Sequence, residues 1–210
     1  MAMARWNQQE FGAWQDKTMQ EISSICVYCG SSNDALASHM DLADRFGKAL
    51  AERRIRLVFG AGNVGLMGAA ARAARDAGGQ VLGIIPHFIS TFEPPCEDIE
   101  LRVVDTMHTR KMMMAEESEA FVALPGGIGT LDEVVEMLSW QRLELHNKPV
   151  VLLDEDGFWD PLFHLFEHFV QANLLPRSFA AGVKRAKTVD EALAMILTGT
   201  ASPQKETPAA

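Results

Sequence analysis

No apolar run in this 210-residue chain comes near the roughly 20 residues needed to cross a bilayer; Val81 to Pro86 and Ala120 to Pro125 are the longest stretches, and both are of strand length. A transmembrane helix is therefore not expected. Basic charge is also in short supply: 19 Lys and Arg stand against 28 Asp and Glu, a formal charge of -9. Such a surface repels nucleic acid and anionic membranes, so any phosphate site must be local. Cysteine is sparse and odd in number, with only Cys26, Cys29 and Cys96, which gives no disulfide framework. The first 21 residues carry Trp6, Glu10, Trp14 and Asp16 but no continuous apolar segment and no small-residue cleavage site, so a secretory signal is not expected. These absences point to a cytoplasmic protein with reduced thiols.

Hydrophobic residues make up 48% and charged residues 22% of the chain, the balance of a globular protein with one core. From Ile22 short β-rich runs alternate with longer helical ones. The expected strands are Ser24 to Cys29, Leu57 to Phe59, Gln80 to Ile85, Leu101 to Val104, Ala120 to Leu124 and Val150 to Leu153, with room for a seventh. Several are apolar on both alternating faces, as strands covered on both sides are. Between them, Asp34 to Arg53, Leu66 to Ala77, Thr109 to Ser118, Thr130 to Leu145, Asp160 to Leu174 and Asp190 to Leu197 read as helices. Asn33 or Asp34 is the expected cap of the first, and Gly78-Gly79 the stop of the second. The expectation is an α/β, Rossmann-like doubly wound parallel sheet in a single domain, residues 22–198, with an N-terminal extension, 1–21, and a disordered tail, 199–210.

Two glycine loops stand where strands turn into helices. Gly60-Ala61-Gly62-Asn63-Val64-Gly65 has the G-x-G-x-x-G spacing that lets backbone N–H groups approach a phosphate. It lies on the second strand, and the following strand ends Ile84-Ile85-Pro86-His87 with no carboxylate for ribose hydroxyls, which weakens an NAD-dependent oxidoreductase. Pro125-Gly126-Gly127-Ile128-Gly129-Thr130 is the second loop, and strand ends in an open parallel sheet converge, so both loops are expected on one crevice. Glu133 follows three residues after Thr130; the T-x-x-E spacing fits either a capping box or a carboxylate turned to that crevice. Arg110 and Lys111 open the preceding helix, where they suit a phosphate or a solvated helix end.

Cys29-Gly30-Ser31-Ser32, Gly65-Leu66-Met67-Gly68, Met107-His108-Thr109-Arg110-Lys111 and Pro125 to Glu133 together closely resemble the Lonely Guy (LOG) family of cytokinin riboside 5'-monophosphate phosphoribohydrolases, once labelled possible lysine decarboxylases. The resemblance spans Ile22 to about Leu174. It implies hydrolysis of AMP or an N6-substituted adenosine monophosphate to free base and ribose 5-phosphate, in a homodimer, with no cofactor or metal. It also implies that Arg110 and Glu133 form the catalytic pair and that Lys111, Gly126, Gly127, Ile128, Gly129 and Thr130 bind the nucleotide. Ser31, Ser32, Gly62, Glu93 and Met107 are further binding candidates. Two departures are Ala61, inside a run that is often three glycines, and Asp132, where many members have Glu. A binding module that senses a nucleotide without cleaving it is the non-enzymatic alternative.

Three signals are set aside. Cys26 and Cys29 lie three apart on a strand and so point to opposite faces. His164-Leu165-Phe166-Glu167-His168 matches a zinc-protease string but has no third ligand at a convincing position. The Schiff-base lysine constellation that lysine decarboxylation by pyridoxal phosphate would need is not identifiable.

Overall fold

A computed structural model of the chain describes residues 22–91 and 93–198. The expected extension, 1–21, and the expected tail, 199–210, lie outside the described residues. Seven runs form strands: β1 (Ser24–Tyr28), β2 (Arg56–Phe59), β3 (Val81–Pro86), β4 (Glu100–Val104), β5 (Ala120–Ala123), β6 (Val150–Leu153) and β7 (Lys184–Ala186). β1, β3, β5 and β6 are buried at every position, which explains their unbroken apolar sequence. Six strands stand within a residue or so of expectation. The seventh, Lys-Arg-Ala, is an edge strand held by parallel pairing to β6 and has no apolar pattern to announce it.

All pairings are parallel and the order is β4-β3-β2-β1-β5-β6-β7. The chain winds outward from β1 in one direction and, after β4, returns to β1's other side as β5. The order therefore reverses between β1 and β5, and loops leaving these two strands part to opposite faces, opening a crevice at their carboxyl ends.

On one face lie α1 (Ala37–Glu52), α2 (Gly65–Asp76) and α8 (Val189–Thr198), whose Leu42, Phe46, Leu50, Leu66, Ala70, Leu193 and Ile196 pack on Ile25, Val27, Leu57 and Phe59. The other face is covered by α4 (Met107–Glu116), α5 (Ile128–Arg142), α6 (Asp160–Gln171) and the short α7 (Arg177–Gly182), through Met114, Val134, Met137, Leu138, Leu162 and Phe166. A single turn, α3 (His87–Ser90), follows β3. Cys29 packs on the first side and Cys26 on the second, opposite faces of the sheet as the spacing requires.

Helix ends depart from the sequence reading in two places. The cap position of α1 is Leu36, with no side-chain hydrogen bond; Asn33 does not cap α1 because its Oδ1 accepts the N–H of Gly65 at 3.0 Å, tying the β1–α1 loop to the start of α2. α5 begins at Ile128 with Gly127 as its cap position, so Thr130 lies inside the helix and the capping-box alternative for Thr130 and Glu133 does not hold. The glycine stop of α2 is as expected: Gly78, at φ 79°, donates to Arg75 O, and Gly79 donates to Ala74 O.

Gly47 fixes how closely α1 crosses α2, since a Cβ there would stand 2.2 Å from Ala70 O. Packing of this density does not yield without a backbone shift. Gly47→Ala is expected to destabilise the fold by about 3 kcal/mol, read as a drop of roughly 6–12 °C in melting temperature; an unchanged melt would show that the two helices can separate freely.

Candidate active site at the strand-order reversal

The crevice is a cavity of ≈ 710 Å³ whose lining includes Gly30, Gly60, Arg110, Gly126, Thr130 and Glu133. That volume lies within the range of nucleotide-sized sites. Its floor is made by two glycine turns in contact. Gly30 N donates to Pro125 O at 3.0 Å, and a Cβ on Gly126 would stand 2.8 Å from Gly30 N and 2.1 Å from Thr130 Oγ1. By contrast Gly127 and Gly129 have open space where a Cβ would be. α5 therefore starts at the cavity with no side chain capping it, and its first-turn N–H groups and positive dipole end make a site for an anion. Ser31 and Ser32 line the facing loop.

The β2 turn supplies the opposite wall. Ala61 sits at φ 67° and Gly65 at φ 58°, so Ala61 occupies a left-handed conformation that a glycine would adopt without strain. Arg72 Nη1 braces the turn by donating to Asn63 O at 2.7 Å and Asn63 Oδ1 at 2.8 Å. Arg110 lies flat against it, with Nη2 donating to Gly60 O at 3.1 Å and Nη1 to Met107 Sδ at 3.8 Å. A Cβ on Gly60 would overlap that guanidinium. Glu93 Oε1 stands 2.6 Å from where a Gly62 Cβ would be. Both Arg110 Nε and Glu93 Oε1 are buried without a hydrogen-bond partner, and buried polar groups ordinarily find one.

Glu133 rises from α5 into the same space. Burial pushes its carboxyl up from 4.5 to about 7, against the pull of Arg110 and Lys111 and with reinforcement from Asp132 and Glu136. The sequence-expected residues thus converge for the most part: Arg110, Glu133, Ser31, Ser32, Glu93, Gly126, Gly127, Ile128, Gly129 and Thr130 all line the cavity. Three do not. Gly62 lies behind Glu93, Met107 behind Arg110, and Lys111 turns toward α5, where its Nζ lies 3.1 Å from both Asp132 Oδ2 and Glu136 Oε2.

Among the lining residues that no motif marked are His39 and Phe158. His39 Nε2 is 2.7 Å from Asp156 Oδ2, and its ring meets Phe158 edge-on at 5.5 Å. Arg45 holds the neighbouring Glu155 through two contacts of 3.1 and 2.7 Å. The base of this loop is the fully buried Asp154, which accepts from Trp159 N and pairs with Arg185. His39 and Asp156 are 117 positions apart, a pairing that neither periodicity nor spacing reveals.

A glycine-lined helix start facing a carboxylate and a guanidinium at the reversal of a parallel sheet is the arrangement of an α/β protein of Rossmann type. Residues 67–196 match the family described as "Possible lysine decarboxylase". A probable cytokinin riboside 5'-monophosphate phosphoribohydrolase of Oryza sativa subsp. japonica, LOGL9, is 46% identical over 155 residues, covering 73% of this chain and 68% of its own. The enzyme of the same name from Rhodococcoides fascians is 40% identical over 175 residues, covering 82% of this chain and 88% of its own. Among solved structures, the molybdenum cofactor binding protein of Rippkaea orientalis superposes with a TM-score of 0.65 at 24% identity, over 88% of this chain and 100% of that one; this likeness is one of fold. The chain belongs to the LOG family of cytokinin riboside 5'-monophosphate phosphoribohydrolases, the family carrying the older lysine decarboxylase label.

A folded-state carboxyl pKa above the unfolded one contributes stability that is present below pH 4.5 and lost as pH rises through about 7. Glu133→Gln is therefore expected to be more stable than the parent at about pH 8, by on the order of 3 kcal/mol at most, and to match it near pH 4. Denaturant titrations at both pH values measure this; equal stability throughout would mean that Glu133 is well solvated.

Proposed function

We propose that the chain hydrolyses the N-glycosidic bond of an adenosine 5'-monophosphate, with or without an N6 substituent, to free base and ribose 5-phosphate. The observation that carries this reading is Glu133, a carboxyl with a pKa of about 7 that shares a glycine-lined cavity with Arg110. The 5'-phosphate lies on the Gly126–Thr130 turn at the start of α5, with the Ser31 and Ser32 hydroxyls across from it. Fixing the phosphate holds the ribose over Glu133, so binding energy remote from the reacting bond serves to orient it.

As the C1'–N9 bond lengthens, its electron pair leaves with the base and positive charge grows on the ribose ring. Ionised Glu133 stabilises that charge and takes a proton from the water whose oxygen bonds to C1'. Arg110 hydrogen-bonds to the departing base, its unpartnered Nε being one available donor, and the proton that Glu133 took from water passes to the base nitrogen, so that neutral base leaves and the carboxylate is restored. The unpartnered Glu93 oxygen accepts an N–H of the base edge, while Gly62 and Met107 support Glu93 and Arg110 from behind. All proton and charge transfers are met by side chains, so the reaction needs no cofactor or metal.

A homodimer is part of this reading. Exposed Ile128 and Val135 on α5 and Leu143 at its C-terminal cap lie along one side, an apolar stripe that a second copy would cover. Light scattering on the purified chain tests it, and a monomer at micromolar concentration would remove the dimer.

Incubation with AMP and with isopentenyladenosine monophosphate, followed by chromatography for free base and ribose 5-phosphate, is expected to show release from at least one. Glu133→Gln is expected to keep nucleotide binding and lose at least about a hundredfold in turnover, the scale of a general base. Turnover of the parent should rise with pH through a limb near 7 as Glu133 ionises. Nucleotide binding without release in the parent would make the chain a sensor; near-normal turnover in the variant would remove Glu133 from the chemistry.

A further inference from the structure

Lys111 follows Arg110 directly on α4, yet the two side chains leave the helix in different directions. Arg110 reaches the β2 turn at Gly60 O. Lys111 is largely enclosed, and its ammonium lies 3.1 Å from Asp132 Oδ2 and 3.1 Å from Glu136 Oε2 on α5. Asp132 and Glu136 are four positions apart and share one side of α5, where Lys111 can bridge them, and Glu136 also lies one turn after Glu133, while Asp132 directly precedes it. To contact a phosphate, the ammonium would have to leave both partners and cross into a cavity whose lining it does not join.

We infer that Lys111 is a positioning residue for the reaction: by bridging Asp132 and Glu136 it locks α4 to α5, keeps Arg110 and Glu133 on one cavity, and cancels the two negative charges beside Glu133. This rests on the roles given to Arg110 and Glu133 above. The groups facing Glu133 are few. From α4 come Arg110 and Lys111, from α5 Asp132 and Glu136, from β1 Cys26 and Tyr28, and from the residue after it Cys29. These last three groups keep their protons because burial raises all three, so the local charge balance is set by two cations against two flanking carboxylates. Burial opposes the charge on Lys111, but Glu136 and Asp132 hold its pKa above the ordinary value, so the cation is permanent at neutral pH.

Lys111→Met preserves the length of the stem and removes the charge. With AMP as substrate, the expected result is a fall of about fivefold in kcat at neutral pH, less than about twofold change in KM, and an acid limb moved upward by about one unit. A ¹³C titration of the Glu133 carboxyl should move by the same amount, whether or not the variant turns over. Lys111→Arg should recover most of kcat, and adding Asp132→Asn and Glu136→Gln to Lys111→Met should bring the limb back toward the parent position. If Lys111→Met is poorly folded, the arginine variant and the triple variant carry the same comparison.

A KM raised tenfold or more with kcat and the limb unchanged would overturn the inference and make Lys111 a phosphate ligand. An unmoved Glu133 titration would overturn it as well. Glu133→Gln run alongside separates the two levels: retained turnover there defeats the underlying catalytic role, whereas its loss together with a KM-only effect at Lys111 defeats the positioning role alone.

Discussion

The site depends on how closely the ends of β1 and β5 approach. Gly30 N reaches Pro125 O at 3.0 Å, and a Cβ on Gly30 would stand 3.3 Å from Gly126 Cα. No side chain larger than hydrogen fits between the turns without one of them moving. That contact aims the start of α5 at the crevice instead of over it, and it places Thr130 beneath Gly126. The N–H groups, the dipole of α5 and the position of Glu133 one turn further along all follow from the angle at which α5 leaves β5.

Electrostatically the crevice is a small exception on an acidic protein. The chain carries a formal charge of -9, and anions in general are repelled from it. An anion at the α5 terminus is favoured by oriented backbone dipoles, which add no net charge and act only at short range. On the proposed reading a phosphate is thus selected by location. The unpartnered Arg110 Nε and Glu93 Oε1 belong to the same economy: each is a polar atom left incomplete by the protein, at a place where a bound nucleotide can complete it.

Sheet and helix order were legible because four of the seven strands, β1, β3, β5 and β6, are buried at every position and the helices between them repeat at helical spacing. Both glycine turns were legible because close backbone approach and a strand-to-helix turn demand particular residues in fixed order, whereas Arg110 and Glu133 were paired by the family resemblance, their own spacing leaving a helix end and a capping box open. Three things were not. β7 reads Lys-Arg-Ala and owes its place to pairing with β6. Asn33 looks like a helix cap in isolation, but a partner 32 positions away takes its side chain. Lys111 resembles a phosphate ligand in the linear motif, and only the packing of α4 on α5 shows its carboxylate partners. Local chemistry is written in local sequence; side chains with more than one credible partner are settled by tertiary contact.

The thiols at β1 lie within the field of Glu133. Cys26 and Cys29 are both buried, and after burial the carboxylate is the next cause that raises each of them. Cys29 also lines the cavity, where a thiolate would be open to alkylation and oxidation. Held in its protonated form by burial first and by the Glu133 carboxylate second, it is a poor nucleophile. The cavity thus carries in its lining a thiol that its own burial keeps unreactive.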